Sequence, residues 1–168
     1  MKKYSSLKEI QTLVSQKQLT LPDLLAYYFK QIKDNEHLNA FNEVFFYSAE
    51  VQAKAVQQKI EEGKQGKLAG MVIGIKDNIC YKGHIVTASS KMLDGFVSPY
   101  SSTVVQRLLQ EDAIIIGRLN CDEFAMGGSN ETSYYGAVGN AVNPALVPGG
   151  SSGGSAVAVQ ADMCLAAL

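Results

Sequence analysis

Two short stretches hold residues that could do chemistry. Lys76 stands in "GIKDN", at the end of an apolar run formed by Met71, Val72, Ile73 and Ile75. Residues 149–155 read GGSSGGS and lead straight into an Ala-rich apolar segment. An amine desolvated by such neighbours should have a depressed pKa, because burial disfavours its charged form. A neutral lysine is a competent general base. The plainer alternative is a strand-end lysine that reaches solvent. Asp77 and Asn78 could orient the strand end by hydrogen bonds or simply form a turn.

GGSSGGS is open to several readings. A glycine-rich loop before a helix can cradle phosphate. Here no G-K-[ST] follows, and the spacing is not G-x-G-x-x-G. A flexible linker fits poorly with the firm apolar helix behind it. In a catalytic loop, glycines let backbone N–H groups approach a substrate while serines relay protons. A tight turn with a helix cap at Ser151 or Ser152 is compatible with that last reading.

The surrounding pattern predicts elements that would hold both stretches. Ser6-Leu7-Lys8-Glu9 has capping-box spacing. Thr20-Leu21-Pro22-Asp23 opens a second helix, whose face carries Leu24, Leu25, Tyr28 and Ile32. "FNEVFFY" (41–47) reads as a strand, and Ser48 as the cap of a third helix with Val51, Ala55 and Val56 as its stripe. "GKQGK" (63–67) ends that helix. "LAGMVIGIKDNI" (68–79) and "AIIIGRLN" (113–120) read as buried strands. Between them Ser101-Ser102-Thr103 opens a helix bearing Val104, Val105, Leu108 and Leu109. Buried strands spaced by helices predict an α/β layer architecture. From Gly127 to Gly150 the chain is rich in Gly, Asn, Ser and Pro with little periodicity, as in a functional loop. Helical spacing resumes at about Ser155.

Composition narrows the classes. The 168 residues are 46% hydrophobic and 18% charged, with a net charge of −1. This is a globular profile that gives no whole-chain attraction to nucleic acid or membrane surfaces. Cys80, Cys121 and Cys164 are far apart, and His37 and His84 complete a poor ligand set, so neither a zinc site nor a disulfide framework is expected. The N-terminus lacks a secretory signal, and no apolar window is long enough to span a membrane. A soluble cytoplasmic protein is expected.

Lys76 paired with GGSSGGS resembles the amidase signature family, whose triad is Ser–cis-Ser–Lys. The resemblance runs from "LNAFNEV" onward through "GIKDNI", "GRLNCDEFAMGGSNETSYYG", the Asn143-Pro144 pair and "VPGGSSGGSAVAV". Within the family the run after "DEFAMG" is most similar to the A subunits of glutamyl-tRNA(Gln) amidotransferases. Their usual form is closer to "MGSSTENS", from which Gly128 and the order Asn130-Glu131-Thr132 depart.

The resemblance implies α/β/α layers around a central mixed β-sheet, of which this chain is the N-terminal part. Residues 1–65 would form a helical layer and 66–168 the start of the catalytic core. Lys76 matches the base and Ser151 the bridging serine, with a cis bond between Gly150 and Ser151. Gly149, Gly150, Ser152, Gly153 and Gly154 would shape the loop. Ser129 and Asn130 would border the amide pocket as substrate contacts. The nucleophilic serine and the oxyanion-hole backbone would lie beyond Leu168. Ser152 reads as a loop hydrogen-bonding residue and Ser155 as a first-turn helix residue, neither a good substitute nucleophile.

The implied activity is glutamine hydrolysis, with ammonia passed to a partner that amidates Glu-tRNA(Gln). The implied partners are the amidotransferase B and C subunits; the B-type partner would make most of the tRNA contact. ATP and Mg would be used by that partner, with no cofactor or metal in this chain. Another amidase-signature amide hydrolase and a non-catalytic scaffold fragment are the other readings. The chain alone is expected to be inactive. Strands 71–75 and 113–116 are expected to lack cover and expose apolar surface.

Overall fold

A computed structural model describes residues 3–168. Its strands are β1 (Phe41–Val44), β2 (Val72–Lys76), β3 (Ile114–Leu119) and the short β4 (Ala166–Ala167). They form one mixed sheet in the order β1-β3-β2-β4. β1 runs antiparallel to β3, and the other two pairings are parallel. Val72, Ile114 and Ile116 enter one apolar cluster, while Ile73, Ile75 and Ile115 enter another. A strand buried on both faces reads as an unbroken apolar run, because neither face alternates with water. That explains "MVIGI" and "AIIIG".

Among the described residues five helices flank the sheet: α1 (Leu7–Ser15), α2 (Leu21–Asp34), α3 (Phe46–Glu61), α4 (Thr103–Gln110) and α5 (Gly153–Gln160). α1, α2, α3 and α5 bury their apolar faces in the first cluster. α4 covers the other face through Val105, Leu108 and Leu109. The result is the expected α/β/α layering. It also corrects one expectation: residues 72–75 and 113–116 are buried by elements of this chain itself. The stretch 1–65 is more than a helical layer, since it supplies edge strand β1 to the sheet.

The helix starts follow local chemistry. Thr20 Oγ1 accepts the Asp23 N–H at 3.2 Å, with Pro22 in the first turn, and Leu24, Leu25, Tyr28 and Ile32 are buried. Ser6 Oγ accepts the Glu9 N–H at 3.2 Å. The reciprocal half of that box lands one residue early. Glu9 accepts the Ser5 N–H at 2.8 Å and the Ser5 hydroxyl at 2.7 Å.

The aromatic run 41–47 does not form one strand. Pairing of the strand ends after the Phe45 N–H donates to the Ile116 carbonyl at 2.9 Å, and Phe46 already begins α3. Phe45 is drawn into the second cluster while Phe46 packs on Phe29. Tertiary packing thus overrides the β-propensity of the run. Ser48 does not cap α3; its hydroxyl lies 3.0 Å from His84 Nε2. The buried face of α3 is Ala49, Ala53 and Val56, and Val51 and Ala55 are exposed.

Candidate active site

Lys76 ends β2, a central strand, on the sheet face opposite Ile75. α5 packs over β2 and β3, and the glycine loop enters α5 above the end of β2. Lys76 is only 8% exposed, so the solvent-reaching alternative fails. Its Nζ donates to Ser151 Oγ at 2.7 Å and to Ser152 Oγ at 2.8 Å. Among the described residues Lys76 forms no ion pair; its partners are these two hydroxyls. The peptide bond between Gly150 and Ser151 is cis.

The structure shows what the loop is built to approach. A Cβ on Gly150 would lie 2.0 Å from Asp122 Oδ2. One on Gly154 would lie 2.5 Å from the Asn120 carbonyl oxygen and 2.6 Å from that of Ala40. No Cβ fits at Gly150 against the Asp122 carboxylate, nor at Gly154 against the Asn120 and Ala40 backbone. Gly149 makes the turn into the cis bond, and Gly153 faces the side chain of Asn130. Ser152 precedes α5 but makes no cap bond, since its hydroxyl serves Lys76. Ser155 sits in the first turn of α5 and donates to the Leu168 carbonyl at 2.9 Å, the same carbonyl that accepts the Lys76 backbone N–H at 2.9 Å, and not to the lysine side chain.

From Gly127 to Ser152 no helix or strand forms. Hydrogen bonds to Asp122 organise the first part of this loop instead, while Asn39 and Asn120 hold residues 133–137. The Asp122 carboxylate accepts the Asn130 N–H at 2.9 Å, the Thr132 hydroxyl at 2.8 Å and the Thr132 N–H at 3.3 Å. Burial opposes the charge on Asp122, but these donors and the Ser129 N–H outweigh it and hold its pKa below the ordinary carboxylate value. Ser129 is half-buried beside the loop. The Asn130 side chain is closed off from solvent, and among the described residues neither its Oδ1 nor its Nδ2 has a hydrogen-bond partner.

Behind Lys76 lies a buried ion pair. Arg118 Nη1 donates to Asp77 Oδ2 at 2.8 Å. The same carboxylate accepts the Thr87 and Ser89 N–H groups at 2.8 and 3.0 Å and Asn42 Nδ2 at 2.8 Å. Burial alone would lower the Arg118 pKa; the bond to Asp77, with its charge and that of Glu43, reverses this and raises it. Asp77 is therefore committed to Arg118 and not to its neighbour Lys76. Asp77, Arg118 and Asp122 fall within "GIKDNI" and "GRLNCDEFAMGGSNETSYYG", yet those stretches do not name their partners. The signal for the pair was present: one arginine in an otherwise apolar strand and one acid at the end of another.

A cavity of about 580 Å³ runs along β1 between Phe29, Phe41 and Phe46 and does not include Lys76 or Ser151. Among the described residues no group of three or more His, Cys, Asp or Glu side chains could hold a metal ion, and no helix is long and apolar enough to cross a membrane. Of the cysteines, Cys80 is half-buried, whereas Cys121 and Cys164 are buried. Burial also pushes the Cys121 thiol pKa up, so its nucleophilic thiolate is scarce. Iodoacetamide at pH 8 is expected to label Cys80 in the native chain and to reach Cys121 and Cys164 only in urea. Peptide mass mapping checks this, and rapid native labelling of Cys121 would contradict the packing described.

The amidase family model matches residues 23–168, most of the chain and both halves of the lysine–serine arrangement. The chain belongs to the amidase family. It is 47% identical over 164 residues to the A subunit of the glutamyl-tRNA(Gln) amidotransferase of Brachyspira hyodysenteriae, covering 95% of this chain and 34% of that protein. Among solved structures, the A subunit of the Thermotoga maritima glutamyl-tRNA(Gln) amidotransferase matches with a TM-score of 0.70 and 32% identity, over 89% of this chain and 33% of that one. Native peptide amidase from Stenotrophomonas maltophilia matches with a TM-score of 0.89 and 27% identity, over 96% and 35%. The chain spans about a third of the length of these amidase-family relatives.

Proposed function

We propose that the chain carries the base and the relay of a Ser–cis-Ser–Lys amidase, and that the whole protein is the glutaminase component of a tRNA-dependent amidotransferase. One observation carries this reading: Lys76 Nζ, buried and without a carboxylate partner among the described residues, lies 2.7 Å from Ser151 Oγ. Lys76 takes the Ser151 proton as Ser151 takes one from the nucleophilic serine. That serine attacks the carboxamide carbon of glutamine, the proton gathered at Lys76 returns through Ser151 to the leaving NH2 group, ammonia departs, and water deprotonated along the same path releases glutamate and returns a proton to the serine. The nucleophile and the oxyanion donors are assigned to the other two thirds of the protein. In this reading ammonia passes to a B-type partner that amidates Glu-tRNA(Gln) with ATP and Mg, a C-type partner completes the complex, and the assembly is cytoplasmic.

Sequence identity favours the A subunits of the amidotransferases. The closer fold match to peptide amidase, 0.89 against 0.70, supports a second reading as a different amide hydrolase. Two grafts separate them. This chain replaces the matching third of the Brachyspira amidotransferase protein in one and of the peptide amidase in the other. Ammonia release from glutamine by the first graft, assembled with its partner subunits, is the expected result. Activity restored only in the peptide-amidase graft would transfer the chain to the second reading. The 168-residue chain alone is expected to release no ammonia.

A further inference from the structure

Asp122 touches both the polar loop and the relay loop that reaches Lys76, and the relay mechanism gives it no task. Its backbone N–H donates to the Ser151 carbonyl at 3.0 Å. Its carboxylate accepts from Asn130 and Thr132 on the polar loop. Gly150 passes so close to that carboxylate that only a residue without a Cβ fits, and the Gly150 N–H donates to the Gly128 carbonyl at 2.7 Å. Among the described residues no cation pairs with Asp122, so its partners are the neutral donors of the polar loop.

We propose that Asp122 is a positioning residue, which fixes the Ser151 hydroxyl against Lys76 by tying the relay loop 149–152 to the polar loop 128–132. The proposal rests on the relay reading above. A serine hydroxyl is one rotatable bond from its backbone, so its place is set by where that backbone is held. Asp122 holds it at the Ser151 carbonyl and fills the space against Gly150. Its other end is gathered by the polar loop. A change in either loop therefore reaches the Lys76–Ser151 distance. An amide bound against loop 128–132 would sit in a fixed relation to the relay.

Asp122→Asn keeps the size of the side chain but turns an NH2 group toward N–H donors. Thr132→Val removes only the hydroxyl donor, and Thr132→Ser retains it. In a crystal structure of the Asp122→Asn chain, Lys76 Nζ and Ser151 Oγ are expected to part beyond hydrogen-bond range, about 3.5 Å. In the amidotransferase graft, kcat is expected to fall about 100-fold with KM unchanged, as for a displaced catalytic group. Thr132→Val should lower kcat part-way and Thr132→Ser should restore it. An unchanged distance in Asp122→Asn overturns the proposal, as does a rise in KM at constant kcat. If Asp122→Asn fails to fold, the same distance and kinetic readouts on Thr132→Val decide in its place. If the graft shows no Lys76-dependent hydrolysis, the relay reading falls, and the crystallographic distance still decides the positioning role.

Discussion

Arg118→Met is expected to lower the stability of the fold by about 3–5 kcal/mol, the usual cost of leaving one partner of a buried ion pair uncompensated. Asp77 is fully buried and Arg118 nearly so. Without the guanidinium, Asp77 keeps only neutral donors: the Thr87 and Ser89 N–H groups, the Thr87 hydroxyl and Asn42 Nδ2. These solvate the charge but do not cancel it. The double variant Asp77→Asn/Arg118→Met should lie closer to wild type than Arg118→Met alone, because it removes both charges together. Urea melts of the three variants and wild type measure this. A single-variant loss below about 1 kcal/mol would show that the Asp77–Arg118 pair is not coupled as described. The consequence also reaches the active site. Asp77 follows Lys76 directly, and its N–H donates to the Leu119 carbonyl at 3.0 Å. The ion pair therefore anchors the end of the strand that presents the lysine.

The central strands were legible because burial on both faces leaves them apolar except at Lys76 and Arg118. α2 was legible because its cap, its first-turn proline and its buried face all agree. The start of α3 was not. Phe46 and Tyr47 favour strands in isolation, and only the packing of Phe45 and Phe46 on different partners divides the run. In the site, Lys76 and the serines could be read from their types and order. The reason for the glycines could not, because the surfaces they press on come from Asp122, Asn120 and Ala40, distant in the chain. Asp122 itself looks like any loop acid. Its donors follow eight and ten residues later in a stretch with no period, so nothing in the local sequence marks the bond. The interior pair Asp77–Arg118 escaped for a related reason: strand register, which sets Ile75 opposite Arg118, is a property of the sheet and not of either segment.

In the amidotransferase graft, Lys76→Ala is expected to lower glutamine hydrolysis by about 10²–10⁴-fold, the range for loss of a positioned general base. Ser151→Ala should fall in the same range, because a relay broken at either member passes no proton. The double variant Lys76→Ala/Ser151→Ala should be no worse than the poorer single one, since groups that act as a unit are not additive. Losses that multiply would mean that the two residues act separately, against the 2.7 Å contact between them. Ser152 supplies the sharper comparison. Its hydroxyl is almost as close to Lys76, at 2.8 Å, so distance does not tell the two serines apart. Their backbones do. The Ser151 carbonyl is held by the Asp122 N–H, while Ser152 is exposed and stands at the start of α5. A relay needs the fixed hydroxyl. Ser152→Ala is therefore expected to cost about tenfold, well short of the loss expected for Ser151→Ala. Equal losses in the two variants would make the proton path run through both hydroxyls of the lysine. A larger loss at Ser152 would move the relay one residue along the loop.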